Sequence, residues 1–222
     1  MDVVNADFYN ASGVVEENVP FSERSRKLFD PVRSFCQTLI FDGARVLEIG
    51  CGNGRFSFEL ERMGGVVTGV DCADKVVEYA QSFAQEINST AEFVVCDAVD
   101  MPFQDGSFDV VCMFGNNIVE FSYRSMDVIA GKVSRMLRSG GVFCLAMNDM
   151  FIHGNGRKYD IGQYMYEDAR LVSNYTIPGE GEFLYHSYVW TVGMAKFIFE
   201  RYFGRVDVVR LDEKRFWIEG TL

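Results

Sequence analysis

Glu48, Gly50, Gly52 and Gly54 occupy every second position of "EIGCGNG", directly after the apolar pair Val46 and Leu47. Glycines at that spacing let the chain turn sharply and let a ligand approach the main chain. The helical pattern that follows would aim its first N–H groups into the same space. A loop of this kind commonly cradles a dinucleotide through G-x-G-x-x-G. Here that pattern breaks: counted from Gly50 the sixth position is Arg55, and counted from Gly52 it is Ser57. What remains is a backbone cradle with an acid ahead of it, and an acid inside a buried strand is costly without partners. Two further acids end apolar runs, Asp71 after "VVTGV" and Asp97 after "EFVVC". Cys51, Cys72 and Cys96 fall at or near the ends of the first three such runs. They read as small hydrophobes lining a pocket, and no C-x-x-C pair points to a metal or redox motif.

These residues need strands that end side by side. From residue 44 the chain alternates short apolar runs with amphipathic stretches. Strands are expected at "ARVLEIG", "VVTGVD" (66–71), "AEFVVCD" (91–97), "FDVVCMF" and "VFCLAMN" (142–148). Between them lie helices at "GRFSFELERMG", at "ADKVVEYAQSFAQEI" with Asp74 as its cap, and at "RSMDVIAGKVSRMLRSGG" closed by its glycine pair. Runs apolar throughout and separated by helices imply a parallel sheet covered on both faces, a doubly wound, Rossmann-like α/β fold in a single domain over 1–222. The last third adds a helix at "WTVGMAKFIFERYFG" and a hairpin of "RVDVVRLDE" with "KRFWIEGTL". Residues 1–43 carry a helical pattern, expected as a cap across the open edge of the site or packed on the sheet. Residues 150–187 are too long for a plain connection and too aromatic for disorder, so a lid or substrate-binding insertion is expected.

At this point the sequence resembles the class I S-adenosylmethionine-dependent methyltransferases. "VLEIGCGNGRFS", "VTGVD", "VVCDAVDMPFQDGSFDVVCMFG" and "MLRSGGVFCLAM" are similar to that family's motifs, in its order, across roughly residues 44–148. The resemblance implies a seven-stranded sheet in the order 3-2-1-4-5-7-6 with an antiparallel strand 7. It also implies S-adenosyl-L-methionine as cofactor, held at Glu48, Gly50, Cys51, Gly52, Gly54, Asp71, Cys72, Val76, Asp97, Ala98, Phe114, Gly115 and Asn116. In those roles Asp71 accepts from the ribose diol and Gly50 to Gly54 hold the amino-acid portion through the backbone. Asp97 accepts from the adenine amine with the Ala98 N–H beside it, while Val76 and Cys72 line the adenine and ribose walls. Phe114 and Gly115 lie beside the sulfur. Glu48 either contacts the cofactor's ammonium or braces the loop from behind.

Methyl transfer is an in-line displacement in which positioning and desolvation carry most of the load. An oxygen nucleophile usually needs a base. His153 and His186 are the two imidazoles of the chain, and His186, in "FLYHSYVW", is the stronger candidate. Asn117, after Asn116 in "FGNNIVEFSYR", follows Gly115 where the family often places groups facing the transferred methyl. An Asn-Asn pair is equally at home in a turn. Phe8, Tyr9, Tyr159, Tyr164, Tyr166, Tyr175, Phe183 and Tyr185 suit an aromatic-lined pocket, with Tyr9 a candidate to face the substrate, and such a cage favours an amine or other cation. The sequence has no Asn-Pro-Pro-Tyr-type motif, which weighs against base or glutamine-amide methylation.

Composition narrows the partners. With 21 basic against 32 acidic residues the net charge is −11, a field that repels nucleic acid. Neither a signal peptide nor an apolar run long enough to span a bilayer is read, so a cytoplasmic, soluble protein is expected. The leading reading is methylation of a small-molecule N- or O-nucleophile without metal. An RNA or protein methyltransferase and a non-catalytic cofactor-binding protein are the alternatives.

Overall fold

Each strand of the main sheet alternates between two apolar faces, and that alternation decides which helices cover it. The computed structural model describes residues 5–12, 19–149, 170–177 and 180–222, with backbone alone for 170–176. Its elements in chain order are α1 (Ala6–Ser12), α2 (Glu23–Leu39), β1 (Arg45–Ile49), α3 (Ser57–Glu61), β2 (Val66–Asp71), α4 (Asp74–Glu86), β3 (Glu92–Val95) and β4 (Phe108–Met113). There follow a 3-10 turn (Asn117–Glu120), α5 (Tyr123–Met136), β5 (Leu137–Asn148), β6 (Arg170–Ile177), β7 (Gly181–Tyr188), α6 (Val192–Tyr202), β8 (Arg205–Arg210) and β9 (Arg215–Thr221).

Seven strands form one sheet in the order β3-β2-β1-β4-β5-β9-β8. The first five are parallel, and β9 runs antiparallel between β5 and β8. Once the β6–β7 hairpin is set aside, this is the 3-2-1-4-5-7-6 order implied by the resemblance. Period-two alternation sends Leu47 and Ile49 of β1 into a core with Ile129 and Val133 of α5 and Ile198 and Phe199 of α6. Val46 faces the opposite core, built on Phe29 and Cys36 of α2, Phe58 of α3 and Val77 and Ala80 of α4. Glu48 belongs to that second face, 0% exposed.

The described part of the N-terminal segment forms two helices, α1 and α2. α2 starts at the Ser22 cap, whose Oγ accepts from the Ser25 N–H at 3.1 Å, and packs on the sheet. α1 crosses the carboxyl edge of the strands. Its Asn10 accepts from the Lys75 N–H and donates to Asp74 on α4, while Tyr9 meets Tyr185 on β7.

Three details differ from the sequence reading. α5 ends at Met136, not at the glycine pair, because Leu137 pairs with Phe108 and opens β5; a register shift follows before Val142 pairs with Val110. Asp109 anchors this irregular stretch by accepting from the Arg45 N–H at 2.7 Å and pairing with Arg138. The α4 cap position is Ala73, and Asp74 is the first helical residue. Part of the 150–187 insertion is the regular hairpin β6–β7, a separate two-stranded sheet. His153, Tyr159, Tyr164, Tyr166 and the Tyr175 side chain lie outside the described residues.

Candidate active site

In open α/β sheets ligands bind beyond the carboxyl ends of the strands, where strand order reverses. Here β1 lies between β2 and β4, and the loops after these strands enclose a cavity of about 480 Å³. Its floor is the turn after β1. The Gly50 and Cys51 N–H groups donate to the Val70 carbonyl at 2.8 and 3.0 Å, tying the turn to β2. Gly52 has φ +53°, and a side chain there would meet nothing nearer than Val76 Cγ1 at 4.0 Å, so its backbone faces open space. Asp71 links the strand tips: one oxygen accepts from the Gly52 N–H at 2.9 Å and the other from the Ala73 N–H at 3.0 Å. Burial pushes the Asp71 carboxyl up, and these N–H donors pull it back.

Most of the expected cofactor residues converge on this cavity. Gly50, Cys51, Gly52, Asp71, Cys72 and Val76 line one end. Asp97 and Ala98 line another part of the wall, as do Phe114, Gly115 and Asn117 after β4. Asp97 also accepts from the Val99 N–H at 3.0 Å, so the Asx-turn and a cavity position coexist. Burial raises the thiols of Cys51 and Cys72, the latter to about 12, so neither is a thiolate nucleophile at neutral pH.

Other expected residues stand elsewhere. Glu48 does not line the cavity; it sits behind the turn, with Ser57 Oγ donating to its Oε2 and burial pushing its carboxyl up to about 8. Gly54, at φ +79°, is required by packing, since a Cβ would lie 2.7 Å from both Phe58 and Phe93. Asn117 donates to the Gly50 carbonyl at 2.7 Å and so braces the glycine turn. Asn116 takes a left-handed conformation, and its Oδ1 accepts from the Asn148 N–H at 2.8 Å, joining the ends of β4 and β5. His186 lines no cavity described here; its backbone is clasped by Asn5, which accepts from its N–H at 2.9 Å and donates to its carbonyl at 2.6 Å.

Glu120, which the sequence reading did not single out, is the centre of the site's polar network. Tyr9 donates to its Oε1 at 2.6 Å, Tyr185 donates to the same oxygen, and Asn5 donates to Oε2 at 2.6 Å. Burial pushes the Glu120 carboxyl up against these donors. The Tyr9 phenol is raised well above its ordinary value by burial and by the Glu120 charge, so it remains a donor. The sequence signal was an acid in the short turn after β4, but its partners lie 65 to 115 residues away.

A second cavity, of about 450 Å³, adjoins the first across a shared wall that includes Tyr9, Arg55, Phe56 and Gly115. Leu28, Pro31 and Val32 of α2 and Met147 of β5 supply its apolar surface. Two ligands in contact through the Gly115 wall is an arrangement suited to group transfer.

Comparison with known proteins agrees with this geometry. Residues 46–141 match the family model described as a methyltransferase domain. The chain is 31% identical over 106 residues to the ubiquinone biosynthesis O-methyltransferase of Mesorhizobium japonicum, covering 48% of this chain and 41% of that one. The matched segment thus spans less than half the length of the curated relatives it resembles. Among solved structures, a Pyrococcus horikoshii protein superposes with TM-score 0.78 at 23% identity, covering 94% of this chain and 96% of that one. Magnesium protoporphyrin IX methyltransferase from Synechocystis, solved with bound S-adenosylhomocysteine, superposes with TM-score 0.63 at 15% identity, covering 97% and 96%. At these identities the structural likeness speaks for the fold.

Proposed function

We propose that the chain is a class I S-adenosylmethionine-dependent methyltransferase, as the match of residues 46–141 to the methyltransferase-domain model supports, and that it transfers the methyl group of S-adenosyl-L-methionine to a small-molecule acceptor. The observation that carries this reading is Asp71, which accepts from the Gly52 N–H in a cavity that Asp97 and Ala98 also line. A carboxylate at a strand tip is the group that a ribose diol needs. An open glycine backbone beside it suits an amino-acid moiety, and the two acids favour a ligand that donates hydrogen bonds and carries positive charge. The residues present therefore fit the cofactor.

When bound, the cofactor supplies an electrophilic methyl on a cationic sulfur. The protein's own part is positional. Tyr9, Arg55, Phe56 and Gly115 form the wall shared by the cavities, and Asn117 braces the Gly50 turn. Tyr9 stays protonated and orients Glu120, and this carboxylate is available to take a proton from an oxygen nucleophile or to complement positive charge. An amine acceptor would need only to arrive deprotonated. The O-methyltransferase named among the relatives supports a small-molecule acceptor. The net charge of −11 is a further argument against a nucleic acid.

Calorimetric titration with S-adenosylmethionine, S-adenosylhomocysteine and NAD tests the reading. The first two are expected to bind and NAD is not. Asp71→Ala should weaken both by about 1.5–3 kcal/mol, on the order of 10- to 150-fold in Kd. Binding of NAD alone, or an unchanged Kd in the variant, would overturn the assignment.

A further inference from the structure

The two adjoining cavities carry opposite charge. The first is lined by four carboxylates, those of Asp71, Asp97, Asp100 and Glu120, against two arginines, Arg55 and Arg124. The second is lined by three arginines, Arg24, Arg55 and Arg215, and by no aspartate or glutamate. In a chain with 32 acidic and 21 basic residues, that separation runs against the overall composition. Arg215 is engaged by Asp212 at 2.5 Å. Arg55 is different: it is half-buried, its guanidinium lies 4.9 Å from the centre of the Phe56 ring, and among the described residues no hydrogen bond or ion pair engages it. Burial and the charge of Arg24 both work against its protonated form, with Glu48 opposing them from behind the turn.

A guanidinium drawn from water with no hydrogen-bonded counter-ion among the described residues is expensive to keep. The cost is offset where a ligand brings the missing charge, and the planar fork of arginine matches the paired oxygens of a carboxylate or phosphate. Around this charge the second cavity is apolar, with Leu28, Pro31, Val32 and Met147 available for a hydrocarbon body. Arg55 also stands on the wall shared with the cofactor cavity. We propose that the second cavity is the acceptor site and that it selects an anionic acceptor, an apolar body bearing a carboxylate or phosphate that Arg55 holds. This deepens the methyltransferase reading and rests on it, and it departs from the cationic acceptor that the aromatic content alone suggests.

The test is calorimetric titration of the full chain, saturated with S-adenosylhomocysteine, with phenylacetate, phenyl phosphate and the neutral phenylacetamide. At least one anion is expected to bind about tenfold or more tightly than the amide, and which anion wins separates carboxylate from phosphate. In Arg55→Gln that preference should fall below about threefold, with S-adenosylhomocysteine still bound. Arg24→Gln, placed on α2 away from the glycine turn, gives an independent reading and should reduce the preference in the same direction. Equal binding of anion and amide overturns the proposal, as does no anion binding at about 10 mM. A preference that survives Arg55→Gln while S-adenosylhomocysteine binding is lost also overturns it, and assigns Arg55 to the cofactor's own carboxylate. Failure of S-adenosylhomocysteine to bind the unaltered protein is a separate result that counts against the methyltransferase reading. The same anion titration of the protein alone then still decides the charge preference of the cavity.

Discussion

At the scale of single residues, Glu48 shows how a strand accommodates an acid. It is the alternate position of β1 that faces α3, and the first helical residue there, Ser57, supplies its hydrogen bond. Burial nevertheless favours the protonated carboxyl, raising it from 4.5 to about 8. Between those values the folded chain binds more protons than the unfolded one, so stability is greatest below the lower value and declines as pH rises through the window. Asp71 and Glu120 are raised too, which adds to the slope. In Glu48→Gln the side-chain carbonyl can still accept from Ser57, and no charge forms. The fall in Tm between about pH 4.5 and 8 should be shallower than in the unaltered protein, as scanning calorimetry at several pH values would read. Superimposable slopes would mean that Glu48 titrates normally.

At the scale of elements, α1 lies between α4 and β7, and Asn5 is its fastening. Its amide makes three hydrogen bonds, two to the His186 backbone and one to Glu120. The side chain is 7% exposed, so its loss leaves buried polar groups without partners. Asn5→Ala should cost about 1–3 kcal/mol of local stability. Hydrogen exchange would locate that loss: the His186 amide and its neighbours on β7 should exchange faster, while the amides of β1, packed between β2 and β4, should not change. Uniform acceleration across the chain would instead indicate global destabilisation, and unchanged exchange at His186 would show that α1 does not hold β7. Elements were legible in the sequence to different degrees. The parallel strands stood out because each is apolar on both faces. The β6–β7 hairpin did not, because "GEFLYHSY" has no clean polar and apolar alternation and belongs to no larger sheet. The end of α5 was misplaced because the glycine pair at 140–141 resembles a helix stop, whereas pairing of Leu137 with Phe108 had already begun the next strand.

At the scale of the whole molecule, charge is distributed unevenly. The excess of acid gives a field unsuited to a phosphate backbone. Bulk transfer RNA is accordingly expected to show no retardation with the protein at about 50 mM salt in a native gel, where non-specific electrostatic binding is strong. Salt-sensitive retardation would revive a nucleic-acid acceptor. No helix among the described residues is long and apolar enough to cross a membrane. Inside the second cavity the sign reverses, through arginines drawn from α2, the β1–α3 turn and β9.

The sequence by itself determined the sheet, its parallel core and a line of cavity-lining residues at the strand ends, Gly50 to Gly52, Asp71 and Asp97 among them. Those features are written locally, in apolar runs, glycine spacing and acids at strand tips, and each can be read within about a dozen residues. The tertiary structure alone decided what faces what. It placed Glu48 and Gly54 behind the cofactor cavity, gathered Asn5, Tyr9 and Tyr185 onto Glu120, and set Arg55 on the wall between two cavities of opposite charge. In the sequence Arg55 was only the residue that broke a dinucleotide fingerprint. Its environment is made by segments distant along the chain, and neither burial nor the charge of a neighbour is encoded in local spacing.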